Sequence, residues 1–422
     1  MNNDVYWYRR PFERLGPLSE DSTVDVVIVG GGLAGLSCAQ VAREAGLSVA
    51  IVERDFCGGG ASGKSAGFVL SDTEVELHAL RKRFGPERAK KVWDFSIPGI
   101  EAIRSNIVEN DFSCEYQEQD AVFAAISRRS NREIDDEYAT YRGLHFEGTL
   151  LLGDALMQTL HSGRFTEALR SPGSFGINPF EYARALTDLL VRAGVRIFEQ
   201  TPVTALRSDG VETPHGTITA KNTVVCADRF IPELGSLKDE IYHVQTFLGV
   251  TKPLSEDDFK KIFPGGPVMV WDTDLVYTYF RPTPERRIVI GGGDMLHTYE
   301  PHLDTHTEHF ARKFEGYLRD AFPGITFELE TVWPGMIGVS KDLLPVMGPD
   351  AERGSIWYAG AATGLSWATA LGRYAAQHII EGRSDYDAVF AWDRSYEADG
   401  LQRVMPTPAT FALCNSIAEA GL

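Results

Sequence analysis

The sequence predicts a two-part α/β protein, in which a Rossmann-like dinucleotide-binding unit is joined to an α+β unit built on an antiparallel sheet. Three observations carry this reading. A strand, a glycine-rich turn, a helix and a second strand follow one another from Asp25 to Arg54. A strand, a glycine-bearing loop and a helix return from Ser355 to Gly382. Between Ile241 and Gly293, short apolar runs are separated by Asp272-Thr273-Asp274 and Pro282-Thr283-Pro284 turns, the pattern of an antiparallel sheet. At 422 residues the chain has room for two domains of roughly 100 to 200 residues each.

Apolar Val26 to Val29 read as a buried strand, and Gly30-Gly31-Gly32-Leu33-Ala34-Gly35 supplies G-x-G-x-x-G. Gly30 suits the tight turn, Gly32 lets the backbone approach a pyrophosphate, and Gly35 lets the helix lie close to the sheet. Leu33 and Ala34 open that helix, whose free N–H groups attract phosphate. Small residues Ala34, Cys38, Ala42 and Ala45 form one helical stripe, expected to pack on the sheet. Leu47 to Val52 make the second strand, which ends at Glu53. A carboxylate roughly 20 residues past the glycines accepts hydrogen bonds from a ribose and repels a 2′-phosphate, favouring FAD or NAD over NADP. Arg54 beside it weakens that exclusion slightly.

Cys57 to Val69 is too glycine-rich for regular structure and too apolar for a solvated linker, so a buried loop against a ligand is expected. Helical patterns run through Glu74 to Phe84, Glu87 to Asn110 with Pro98-Gly99 interrupting, and Arg129 to Leu144. Asn178 and Pro179 read as N-cap and first residue of a further helix, followed by a strand from Val195 to Glu199. Val203 to Arg207, Val211 to Thr213 and Thr217 to Thr219 read as a meander, and Thr223 to Ala227 as a buried strand. The substrate sheet is assigned Val268 to Trp271, Leu275 to Arg281 and Arg286 to Ile290. The helix N-terminus at Gly364 could receive another electron-rich part of the cofactor. The expected division is a discontinuous nucleotide-binding domain (20–75, 150–235 and 330–390), a substrate domain (76–149 and 236–329) and a C-terminal extension (391–422).

A net charge of −18 argues against nucleic acid and anionic membranes as partners. It is compatible with a cationic amine substrate, and equally with simple solubility. The five cysteines are widely spaced and free of C-x-x-C pairs, which argues against a disulfide framework or zinc knuckle. The first residues lack a signal-peptide core and no stretch approaches roughly 18 uninterrupted apolar residues, so a cytoplasmic protein is expected.

Three separated segments together resemble the FAD-dependent D-amino-acid oxidase and sarcosine oxidase superfamily, most nearly its γ-glutamylputrescine oxidoreductase branch. They are the Gly30 to Glu53 fingerprint, the run Gly60-Ala61-Ser62-Gly63-Lys64-Ser65-Ala66-Gly67, similar to the branch's G-A-S-G-R-N-G-G, and Trp333-Pro334-Gly335 followed by Asp342 to Gly348 and Gly360 to Gly382. The resemblance implies an FAD-binding domain of the glutathione-reductase type and makes Gly60, Ala61, Ser62, Lys64, Ser65, Ala66 and Gly67 candidates for wrapping the flavin. Val203, Gly335, Gly360, Gly364 and Leu365 are further cofactor candidates. Lys64 replaces the usual Arg and Ser65 the usual Asn, which keeps the charge and loses planar, bidentate hydrogen bonding. The related sarcosine oxidases attach flavin through a cysteine where this chain has Gly335 or Met336. No cysteine lies between Cys226 and Cys414, so non-covalent FAD is expected. Their oxygen-activating lysine has no counterpart in Arg286-Arg287-Ile288-Val289-Ile290-Gly291, which places oxidase activity in question.

The implied reaction oxidises a primary or secondary amine, whether amino acid, N-alkyl amino acid or acylated polyamine, by hydride transfer to flavin, and the imine then hydrolyses. The electron acceptor is oxygen, a quinone or another carrier. Alternatives are a D-amino-acid dehydrogenase serving a quinone, for which only the apolar stretch Pro408 to Leu422 suggests membrane contact, and a flavin-binding subunit with little turnover. Tyr277, Tyr279 and Arg281 alternate on one strand face, where they either hold a substrate carboxylate or pack outside the sheet. Trp271, Trp333 and Trp367 either wall an amine pocket or fill core. The cluster His297, His302, His306 and His309 reads as a mixed polar surface face, and no metal is expected. His243 and Cys57 read as core residues.

Overall fold

The computed structural model describes residues 4–293, 298–299, 305–396 and 400–421. Its first sheet has a parallel centre. Ser22–Val29 pairs with Val49–Val52 on one side and with Gly216–Val225 on the other, and the sheet extends to Arg196–Phe198 and Ile356–Gly360. Val26 to Val29 and Val49–Val52 at its centre are continuously apolar because both faces are covered there. Thr217 to Thr219 and Thr223 to Ala227 prove to be parts of one strand that changes partner midway. Its first half pairs antiparallel with Gly210–Thr213, and its second half runs parallel to Ile356–Gly360.

Helix Leu33–Glu44 lies between this sheet and helix Leu365–Glu381. The two helices approach so closely that a Cβ on Gly372 would stand 1.9 Å from the Ala34 carbonyl oxygen. Thus the Ala34 backbone is in close contact with a second helix. The Glu87 to Asn110 pattern is two helices, Pro86–Asp94 and Ile97–Asn110, because Pro98 starts the second within its first turn. Asn178 caps helix Pro179–Arg192 as expected, its side chain accepting from the Glu181 N–H at 3.1 Å.

The second sheet has eight strands in the order Leu329–Val339, Tyr242–Thr251, Ile288–Gly292, Tyr279–Pro282, Val268–Asp272, Asp120–Ala125, Glu167–Ser171 and Thr149–Leu151. All its pairs are antiparallel except Val268–Asp272 with Asp120–Ala125. Two expected boundaries therefore move. Residues 150–171 supply strands to this sheet rather than the first. Leu329–Val339, also expected in the nucleotide-binding unit, pairs with Tyr242–Thr251 through most of its length. The strand expected from Leu275 begins only at Tyr279, since Leu275 is exposed in the preceding turn.

The stretch expected as a C-terminal extension contains helix Thr407–Glu419, which buries Phe411, Cys414 and Ala418 and turns back onto the body of the protein. Among the described residues, no helix is long and apolar enough to cross a membrane.

Candidate active site

The glycine turn is sterically committed. Gly30 has φ +111° and a Cβ there would stand 2.5 Å from the Cys226 carbonyl oxygen, while a Cβ on Gly35 would stand 2.0 Å from that of Gly30. Gly32 has ordinary φ −78°, so no turn requires it, and a Cβ there would stand 3.2 Å from Ser62 Oγ. The N-terminus of helix Leu33–Glu44 has no side-chain cap, and the Leu33 N–H donates to Ser62 Oγ at 3.0 Å, tying the flavin-loop candidates to the turn. Glu53 Oε2 accepts from the Gly31 N–H and Oε1 from the Asp55 N–H, each at 2.8 Å. Burial raises its pKa against the pull of those bonds. Arg54 points elsewhere, stacking over Phe230 at 3.4 Å and pairing with Glu233 at 3.6 Å. Val203 is half-buried against the core around the first sheet.

Gly60 precedes a single helical turn, Ala61–Lys64, in the loop read as irregular. Three successive carbonyls then anchor the loop from behind. Lys64 O accepts from Trp333 Nε1 at 3.0 Å, Ser65 O from Trp7 Nε1 at 2.8 Å, and Ala66 O from Arg281 Nε at 2.6 Å. Gly67 follows with φ +75°, and a Cβ there would stand 2.0 Å from the Ile177 carbonyl oxygen.

In front of this loop lies a cavity of about 280 Å³. Ala61, Lys64, Ser65 and Ala66 line it, with Gly335 from the second sheet and Gly364 and Leu365 from the start of the late helix. Gly364 has φ +94° and no side-chain cap follows it. Gly360 lies off the cavity and makes room for Ile231, whose Cδ1 would be 2.7 Å from a Cβ. The uncapped helix ends, the side-chain-free turn and the anchored loop fit a dinucleotide cofactor with its ring end in the cavity.

Tyr277, Tyr279 and Trp271 also line the cavity. Gly291 makes room for the Tyr279 ring, which would lie 2.3 Å from a Cβ there. Tyr277 donates its hydroxyl to Glu74 at 3.0 Å, and Trp271 stacks on Phe123 and donates to Glu76 at 3.1 Å. Two other expectations, for Arg281 and Trp333, are corrected, and Trp367 takes the core alternative. Arg281 is not a carboxylate partner: it is 1% exposed, and it donates to Ala66, Ile177 and Pro282 carbonyls because its strand passes beneath the flavin loop. Trp333 sits behind that loop and not in the pocket wall. Trp367 packs against Phe95 and Phe390 while donating to the Asp72 carbonyl at 2.7 Å.

Sequence reading missed the acidic wall. Asp72 and Glu74 follow the flavin loop, and Asn415 and Glu419 arrive on the C-terminal helix; all four line the cavity. Burial, then Glu74 and Glu133, pushes Glu419 up to about 8. Burial also raises Glu74, with the Tyr277 hydroxyl opposing, and drives Asp72 well above its usual range, with Glu137 adding to it. Asp and Glu after a glycine loop carry no distinctive spacing, so only the fold collects them. Cys57 is buried, its thiol pushed well up by burial, and His243 stacks on Tyr242 at 4.6 Å. His309 lies on helix Glu308–Ala321 and His306 just before it, and His297 and His302 fall outside the described residues.

Fold and site define an oxidoreductase that works through a bound dinucleotide cofactor. The chain belongs to the FAD-dependent oxidoreductase family (DAO), whose sequence pattern matches residues 25–378, and FAD is its cofactor. It is 28% identical over 302 residues to a γ-glutamylputrescine oxidoreductase of Escherichia coli, spanning 69% of this chain and 68% of the relative. It is 27% identical over 285 residues to a probable oxidoreductase, OrdL, of Haemophilus influenzae, spanning 65% of this chain and 66% of the relative. Glycine oxidase from Geobacillus kaustophilus shares the fold, with TM-score 0.74 and 19% identity across 89% of this chain and 99% of that one.

Proposed function

We propose that this chain oxidises a primary or secondary amine at its carbon–nitrogen bond, releasing an imine that water hydrolyses. The observation that carries the reading is one cavity shared by the flavin-loop residues Ala61 to Ala66 and by an aromatic, acidic wall suited to an alkylammonium ion. FAD held by the glycine turn and the Ala61 to Ala66 loop would supply the hydride acceptor. The chain's own part is to hold the substrate and keep water out. Tyr277, Tyr279 and Trp271 supply flat apolar walls, and Glu74, fixed by the Tyr277 hydroxyl, adds a carboxylate to that wall.

Among the described residues, Lys64 is the one cation lining the cavity, and burial, then Arg229, lowers its pKa. Stabilising a superoxide-like state needs a fixed positive charge, so an acceptor other than oxygen is proposed. Screening amines anaerobically for bleaching of the flavin absorbance tests the reading. Bleaching by an amine supports it, and retained FAD that no amine bleaches favours a flavin-binding subunit. Mixing the reduced protein with oxygen or a quinone-like dye then reads the acceptor, with faster reoxidation by oxygen counting against the proposed one.

A further inference from the structure

We propose that the cavity selects amines carrying a second positive charge, an α,ω-diamine in place of an amino acid, with Asp72, Glu74 and Glu419 receiving the distal ammonium group. The inference rests on the amine reading above. It starts from a charge imbalance: three carboxylates line the cavity, and the guanidinium expected to bind a substrate carboxylate, Arg281, is held by backbone carbonyls.

Not every acid nearby is available. Glu137 accepts from the Leu77 and His78 N–H groups and from the His78 ring, and Glu76 accepts from Trp271. Asp72 differs, since its Oδ1 is buried with no hydrogen-bond partner among the described residues. A buried, unpartnered carboxylate oxygen is costly unless a donor arrives. Glu74 holds its single side-chain hydrogen bond from Tyr277, and Glu419 comes from a different element, so the acids converge from two directions.

Crowding explains why the cluster is tolerable without a ligand. The groups pressing on one another are Asp72, Glu74, Glu76 and Glu137, with Glu133 and Glu74 facing Glu419 and the Tyr299 hydroxyl also within their field. Raised proton affinities let the acids stay partly neutral. A dication reverses that preference and expels protons as it binds.

The test uses the holoenzyme and matched amines of about three to six carbons whose far ends are ammonium, methyl or carboxylate. Flavin reduction is followed anaerobically by stopped flow, giving a rate constant and apparent Kd for each. The expected order is diamine, then alkylamine, then amino acid, with about tenfold in efficiency between the first two. Glu74→Gln and Asp72→Asn should each shrink that ratio. Equal efficiency across far ends, or preference for the carboxylate, overturns the inference while leaving amine oxidation intact. Flavin that no amine reduces overturns the amine reading itself. Calorimetry of the dithionite-reduced wild-type protein, which binds without turnover, gives a second readout free of variant folding: diamine binding should release protons, seen as heats that depend on buffer ionisation. Binding without proton release, or tighter binding of the alkylamine, counts against the acids as receptors.

Discussion

The two faces of the cavity are built on opposite principles. The cofactor face is made of backbone: glycines at Gly30, Gly35 and Gly67 whose missing Cβ atoms are required, and loop carbonyls pinned by buried side chains. The substrate face is made of side chains, with tyrosines, a tryptophan and carboxylates delivered from the second sheet, the segment after the flavin loop and the C-terminal helix. A backbone surface tolerates almost no substitution and holds a constant ligand. A side-chain surface can be rewritten residue by residue, which is where specificity resides.

The comparison is most severely tested at Gly67. Gly67→Ala places a methyl against the Ile177 carbonyl in a left-handed backbone, and a loss on the order of 4 kcal/mol is expected, with little folded yellow protein recovered. Normal FAD retention and melting temperature would show that the loop is less committed than its contacts imply. Arg281→Met comes next. It removes the donor from the buried Ala66 and Ile177 carbonyls, while Pro282 keeps Gln119 Nε2, and a loss of about 3 kcal/mol in thermal stability, with weaker FAD retention, is expected. If only carboxylate-bearing substrates suffered, with stability intact, Arg281 would belong to the substrate face after all.

Glu53→Gln probes a carboxylate on the cofactor face. The Gly31 and Asp55 N–H groups donate to different oxygens of Glu53, and glutamine leaves an oxygen for only one of them, so FAD affinity should fall about tenfold in a titration of apoprotein, the fold remaining intact. The smallest effect is expected at Glu419, whose pKa rises on folding from 4.5 to about 8. The neutral carboxyl favours the folded state fully below pH 4.5, and that contribution is lost as pH climbs to about 8. Glu419→Gln should therefore be near neutral in acid and stabilise the protein by about 1 kcal/mol at alkaline pH, discounted for partial exposure. A stability difference that ignores pH would remove Glu419 from the buried cluster.

What could be read from the chain follows from distance along it. The Gly30 to Glu53 unit was legible because its turn, helix start and acid contact one another within one short stretch, as the Gly31 to Glu53 hydrogen bond shows. The same holds for the Asn178 cap, which acts three residues away. Tyr277 and Tyr279 were legible as a pair, although the strand carries only Tyr279 and Tyr277 lies two residues before its start. Arg281 was misread because alternation places it beside Tyr279 without revealing that the flavin loop covers it.

The sequence by itself determined the cofactor class, since glycine sterics and an acid at the end of a strand are local requirements that only a few residues satisfy. It also determined the two kinds of sheet, because apolar runs and turn residues are local patterns. The tertiary structure alone decided how the flavin loop is held and what faces it. The loop's anchors lie 58, 215 and 269 residues away along the chain. Burial, which gathers ordinary aspartates and glutamates into one wall and raises their hold on protons, is a property of packing that no stretch of sequence possesses until the chain has closed around it.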